Sequence, residues 1–153
     1  MKKRILIGIC AVLLLTSCAH EYNQVYKTTN NDYKYEFAKE CFAKGKYGFA
    51  VPLLQDLVTI EKGTDNAQEC LYMLAMAEYC LKDYQAASET FKKYYQTYPR
   101  GQYAEMASFY IGQSLFEGTP EPRLDQTPTV AAIAAFQEYL DIFPNGKMKE
   151  TAQ

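Results

Sequence analysis

The sequence predicts an all-α solenoid of about three helix–turn–helix repeats with a period of 37 residues. Three observations predict this fold. Similar residues recur at that spacing, a small residue recurs in the middle of each first helix, and a proline follows two of the second helices. One helical hairpin cannot bury its apolar face alone, so we expect neighbouring repeats to stack.

The first helix of each repeat is defined by columns of similar residues. The columns are Tyr35, Tyr72 and Phe109; Phe37, Leu74 and Ile111; Ala38, Ala75 and Gly112; and Phe42, Tyr79 and Phe116. The small residues of the third column allow another helix to approach closely. Short turns such as Lys44-Gly45-Lys46 follow the first helices.

The second helices carry apolar residues at i, i+4 and i+7, as in Ala87, Phe91 and Tyr94. In the third repeat the same pattern comes eight residues late, so we predict an inserted loop between residues 116 and 129, where three prolines stand. The predicted repeats cover about 33–64, 65–101 and 102–146, and a fourth begins at 147–153. We therefore expect the chain to be the front part of a longer protein.

The repeat pattern resembles the tetratricopeptide repeat. It shares the small mid-helix residue, the Gly-Lys-Tyr turn at residues 45–47, the following alanine, the large aromatic residue and the closing proline. The tetratricopeptide period is 34 residues, so three residues are added at each junction here. The resemblance implies a tetratricopeptide-repeat α-solenoid over residues 33–153.

Residues 1–17 are predicted to form a lipoprotein signal peptide. A basic stretch at residues 2–4 precedes an apolar run at 5–15, which is too short for the roughly 20 residues that span a bilayer. The following Leu15-Thr16-Ser17-Cys18 resembles the lipobox of bacterial lipoproteins, in which the chain is cleaved before the cysteine and the thiol is lipidated. Cys18 is thus the predicted lipidation site; the alternative is an ordinary signal peptide with an incidental cysteine.

Residues 18–32 are polar and aperiodic, which predicts a flexible tether between the lipid and the solenoid. Ala19 follows the cysteine where an aspartate would favour retention at the inner membrane, by resemblance to the enterobacterial sorting rule. The tether lacks the acidic run of surface-exported lipoproteins. We therefore expect the protein on the periplasmic face of the outer membrane.

Charge and composition argue against several function classes. After residues 1–17 are removed, 13 basic residues face 18 acidic ones, and no basic cluster stands out, so we expect no nucleic-acid partner. The single histidine, His20, lies in the predicted tether, and no glycine-rich phosphate loop is present. We therefore predict no enzyme activity, no metal site and no cofactor beyond the lipid on Cys18. We expect Cys41, Cys70 and Cys80 to be small core residues.

The aromatic columns are candidates for a peptide-binding groove. In tetratricopeptide solenoids the first helices line the concave face. The resemblance places nine residues there: Tyr35, Lys39, Phe42, Tyr72, Met76, Tyr79, Phe109, Gln113 and Phe116. Such a groove would take an extended or C-terminal peptide with apolar side chains. The alternative is that the same rings pack between repeats.

The lipobox, the tether and the repeats together resemble BamD, the family of lipoproteins of the outer-membrane β-barrel assembly machinery, in its Bacteroidetes form. The matching residues are the lipobox ending at Cys18; residues 45–47 with Ala50; residues 83–84 with Ala87 and Phe91; residues 98–103; Ala107, Tyr110 and Gly112; and residues 124–126. Gly101 and Gly146 stand where serine is usual.

This resemblance implies that the protein binds unfolded outer-membrane proteins and helps to insert them into the outer membrane. The implied partners are the barrel-forming subunit, other lipoproteins of the complex and the unfolded substrates. The alternative is a periplasmic tetratricopeptide scaffold that coordinates cell-envelope or cell-division proteins.

Overall fold

The computed structural model describes residues 21–64, 66–119 and 125–153. Within these ranges the chain is helical and contains no strand, so the predicted all-α solenoid is confirmed. The helices are α1, described over residues 21–27, α2 (Asn31–Ala43), α3 (Tyr47–Ile60), α4 (Ala67–Cys80), α5 (Tyr84–Thr97), α6 (Ala104–Glu117), α7 (Thr127–Ile142) and the short α8 (Lys149–Ala152).

From α2 to α7, each helix packs mainly on the next one in sequence, and consecutive helices are antiparallel. The connections therefore lie at two opposite edges. Tyr47 at the start of α3 bonds Cys80 at the end of α4, which places the turns within repeats at one edge. We call this the hairpin edge, with turns at residues 44–46 and 81–83, and we call the other the junction edge, with connections at residues 98–103 and 143–148.

The first helices of the first two repeats, α2 and α4, end in the same way at the hairpin edge. Gly45 and Lys82, one period apart, both have left-handed backbone, with φ of 69° and 63°. After each of these two helices, two backbone N–H groups bond back to carbonyls of the last turn. This Schellman arrangement satisfies carbonyls that the helix end leaves unpaired. The turn geometry thus repeats although only one of the two positions is glycine.

At the junction edge, a buried tyrosine hydroxyl joins one repeat to the next. The hydroxyl of Tyr94 donates to Oε1 of Gln68 at 3.2 Å and accepts from the backbone N–H of Tyr103 at 3.2 Å. The arrangement recurs one repeat later. The hydroxyl of Tyr139 bonds Glu105 at 3.2 Å and accepts from the N–H of Met148 at 3.1 Å.

Both junctions place a glycine against the tyrosine hydroxyl. A Cβ on Gly101 would lie 2.4 Å from Oε1 of Gln68 and 2.6 Å from the Tyr94 hydroxyl. A Cβ on Gly146 would lie 2.3 Å from the Tyr139 hydroxyl. A larger residue at either position would therefore force these bonded side chains to move.

Two expectations need correction. The expected flexible tether includes residues 21–27, but these residues are helical, Val25 is fully buried, and the Tyr22 ring lies 4.9 Å from the Phe49 ring. Two apolar side chains suffice to hold this short helix on the first repeat although most of its residues are polar. Cys41 and Cys70 are buried as expected, but Cys80 is exposed at the hairpin edge.

Glu78 of α4 places a carboxyl group in the interior. It is more than nine-tenths buried, Thr90 bonds its side chain, and among the described residues Oε2 has no hydrogen-bond partner. Burial, with smaller contributions from the charges of Asp83 and Glu89, raises the pKa of Glu78. The neighbouring repeats carry Cys41 and Leu115 at this position. A raised pKa means that the folded state favours the protonated form.

We expect Tyr94→Phe to lower the free energy of unfolding by about 1–2 kcal/mol, because Gln68 and the N–H of Tyr103 lose their common partner. Urea denaturation measures this change. Tyr95→Phe is the matched control, since the neighbouring ring packs on Phe143 at 6.5 Å and its hydroxyl holds no junction. Equal losses in the two variants would contradict the role of the Tyr94 hydroxyl.

We expect Glu78→Gln to be more stable than the wild type at neutral pH. The stability associated with a raised carboxyl pKa is fully present below the unfolded value of about 4.3 and is lost as pH rises through the folded value. The advantage of the variant should therefore shrink towards pH ~4. Urea midpoints across this pH range give the measurement. Glu138→Gln, an exposed change on α7, should show no such trend.

Candidate peptide-binding surface

Tyr35 of the predicted groove is a contact between α2 and α4. Its side chain is 6% exposed, and its hydroxyl donates to the carboxylate of Glu69. Lys39 lies over the ring, with Nζ 4.9 Å from the ring centroid and 3.2 Å from Oε1 of Glu69. Burial and the bond to Glu69 raise the pKa of Tyr35 to about 12. These three side chains join the first two repeats.

Tyr72, one repeat later, also joins its repeat to the next one. Its ring stacks on that of Tyr103, with centroids 4.3 Å apart and an interplanar angle of 8°, and meets the edges of Phe91 and Tyr94. Burial raises the pKa of Tyr72 to about 12. Half-buried Met76 packs against the same cluster.

Tyr79 and Phe109 also pack between helices. The half-buried Tyr79 ring meets those of Tyr84 and Tyr110 at 5.5 and 5.1 Å, and its hydroxyl bonds Gln113. Phe109 is 2% exposed, with the rings of α7 5.7 Å away. Truncation of either ring would remove packing between repeats.

The prediction that Tyr35 and Phe109 line an open groove is therefore wrong, because both side chains are buried. Phe42, half-buried, packs on the ring of Tyr47 at 5.6 Å. The aromatic rings are long enough to reach the next helix. Most of the predicted groove residues therefore pack between repeats. Lys39 lines an open hollow of about 450 Å³ on α2, and Gln113 and Phe116 line another one.

This hollow lies between α6, α7 and α8 and has a volume of about 500 Å³. Phe116 is 55% exposed and faces it together with Ile133, which is 66% exposed. The lining residues are Gln113, Phe116, Ile133, Phe136, Gln137, Leu140 and residues 151–153. An apolar surface of this size on one side of the solenoid is a candidate binding site.

The preceding repeat shows what packs at the equivalent position. There, Phe91 is fully buried and its ring stacks on Tyr110 of the next first helix at 5.3 Å. Phe136 occupies the equivalent position in α7 and lines the hollow. The hollow therefore corresponds to a place where aromatic rings pack one repeat earlier.

Sequence reasoning missed Ile133 and Leu140, although their signal is visible. On α5 the equivalent positions are Ser88 and Tyr95. Ile133 and Leu140 add a second apolar face to α7 beside the one that carries Tyr139. An apolar residue where the preceding repeat has serine indicates a surface that something covers.

The hollow has apolar walls with three amide side chains, Gln113, Gln137 and Gln153, at its border. Amides donate and accept hydrogen bonds, so they can pair with peptide backbone while apolar side chains fill the hollow. Within the described ranges, no group of three His, Cys, Asp or Glu side chains could hold a metal ion. Cys18 and His20 lie outside the described residues.

No described helix is both long enough and apolar enough to cross a membrane. A comparison with curated proteins finds no match. Residues 27–153 match the YfiO family, whose description is outer membrane lipoprotein. Because this match covers the whole repeat region, the chain belongs to the YfiO family of outer membrane lipoproteins.

Proposed function

We propose that this protein is a lipid-anchored scaffold of the outer-membrane β-barrel assembly complex. It binds unfolded outer-membrane proteins and helps their insertion, together with the barrel-forming subunit and other lipoproteins of the complex. A lipid on Cys18 holds it at the periplasmic face of the outer membrane. Family membership supports the outer-membrane role, and the lipobox supports the anchor.

The observation that carries the proposal is the match to the YfiO family of outer membrane lipoproteins, and the apolar hollow bordered by Phe116 and Ile133 is the proposed binding site. Strands of membrane β-barrels alternate apolar and polar side chains. In an extended strand, side chains on one face lie roughly 7 Å apart. A strand can therefore place an apolar side chain in the hollow while its backbone meets the amides of Gln113 and Gln137.

The proposed role is binding without a catalytic step. The hollow is lined by apolar and amide side chains rather than by acid–base pairs. The one covalent modification that the proposal requires is the lipid on Cys18.

We expect Cys18→Ser to abolish membrane attachment, because serine cannot form the thioether to the lipid. Flotation of cell membranes measures attachment, and mass spectrometry of the mature N-terminus reports the lipid. The variant should remain in the soluble periplasmic fraction or stay unprocessed. If it floats with outer-membrane vesicles as the wild type does, the lipobox interpretation is wrong.

We expect Phe116→Ala to weaken binding of a C-terminal β-barrel-strand peptide about tenfold, which corresponds to about 1.4 kcal/mol. Its melting temperature should stay near the wild-type value, because this side chain is 55% exposed. Titration with labelled peptide measures the affinity. Ile133→Ala should behave in the same way.

Val130→Ala is the matched control for this experiment. Val130 lies on α7, as Ile133 does, and is 66% exposed, but it does not line the hollow. Unchanged affinity in both Phe116→Ala and Ile133→Ala would contradict the proposed site. Capture of cell-division proteins in place of the barrel-forming subunit by the lipidated protein would favour the envelope scaffold instead.

A further inference from the structure

We propose that the hairpin edge of the solenoid, led by the turn at residues 44–46, lies against the phosphate headgroups of the membrane. This inference rests on the proposed lipid at Cys18. It goes beyond anchoring, because it states which edge of the protein the anchor holds at the bilayer.

The argument begins with the packing of α1. Val25 is fully buried and the Tyr22 ring contacts Phe49, so α1 is fixed on the first repeat. Residues 28–30 join α1 to α2, which makes the two helices a hairpin. The described start of α1 therefore lies near the C-terminal end of α2. Accordingly, Glu21, Lys44 and Lys46 all line one small cavity of about 80 Å³.

The covalent distance to the anchor is short. Three residue steps separate Cys18 from Glu21, and at no more than about 3.6 Å per residue they span about 11 Å. A free tether of residues 18–32 would instead reach about 50 Å at the same rise. The packing of α1 removes most of that reach and holds the turn at residues 44–46 close to the lipid.

The opposite edge is much farther away. The 14 residues of α5, at about 1.5 Å each, separate the two edges by about 21 Å. Arg100, in the connection after α5, is exposed at the junction edge. With α1 packed, the anchor holds Lys44 near the bilayer, whereas Arg100 comes equally near only if the helices lie along the membrane surface.

The chemistry of the hairpin edge suits a phosphate surface. Lys44, Lys46 and Lys82 lie in its turns, and exposed Leu81 stands beside Lys82. Acidic residues at the same edge include Glu21, Glu40 and Asp83. Lys44 also forms an exposed ion pair with Glu40 of the same helix. Cations near a membrane surface are attracted to anionic lipids within about a Debye length.

The test uses the full lipidated chain in vesicles of phosphatidylethanolamine and phosphatidylglycerol that carry nitroxide on their headgroups. A fluorescent label is placed at Lys44→Cys in one protein and at Arg100→Cys in the other. Both carry Cys80→Ser, which removes the exposed native thiol and keeps a hydroxyl for Tyr47. We expect the label at position 44 to be quenched several-fold more strongly than the label at position 100.

Equal quenching at the two positions, or stronger quenching at position 100, would overturn the inference while leaving the anchor intact. Mass spectrometry separates that result from failure of the anchor. A mature chain with no lipid on Cys18 would overturn both the anchor and the orientation.

Discussion

At each tyrosine junction a single buried hydroxyl serves two helices at once, and the stacking of the last two repeats depends on it. Tyr94 belongs to a second helix, yet its hydroxyl meets Gln68 of its own first helix and the backbone that starts the next one. Satisfying both groups fixes the angle at which the next repeat enters. The absence of a side chain at Gly101 follows from this contact, since any Cβ would occupy the space of the bond.

The sequence period predicted the helical repeats, but it did not predict the hydrogen bonds at the junction edge. The repeat spacing places Leu57, Tyr94 and Tyr139 at equivalent positions, and all three are fully buried. The spacing indicates size and burial, but it does not show that Tyr94 and Tyr139 also form hydrogen bonds through their hydroxyls. Gly101 and Gly146 are likewise visible in the sequence, but only the folded protein brings Gly101 so close to Gln68 that a Cβ would lie 2.4 Å from its Oε1.

The candidate site was harder to predict, because an inward ring on a first helix can face either a ligand or the next repeat. The lengths of the side chains decide between these outcomes. Tyr72 reaches Tyr103 and is covered, whereas Phe116 has no following ring above it among the described residues. The wall that completes the hollow comes from α7, whose second apolar face does not belong to the repeat columns.

The packing of α1 also gives the first repeat a polar outer face. The side chains of Val25 and Tyr22 pack on the first repeat, while Glu21, Asn23 and Lys27 face solvent. A polar outer face keeps a stack of repeats soluble. Head-to-tail association of copies buries complementary surfaces, and at this face it would have to bury charged side chains. The face of α1 therefore disfavours association of copies through the first repeat.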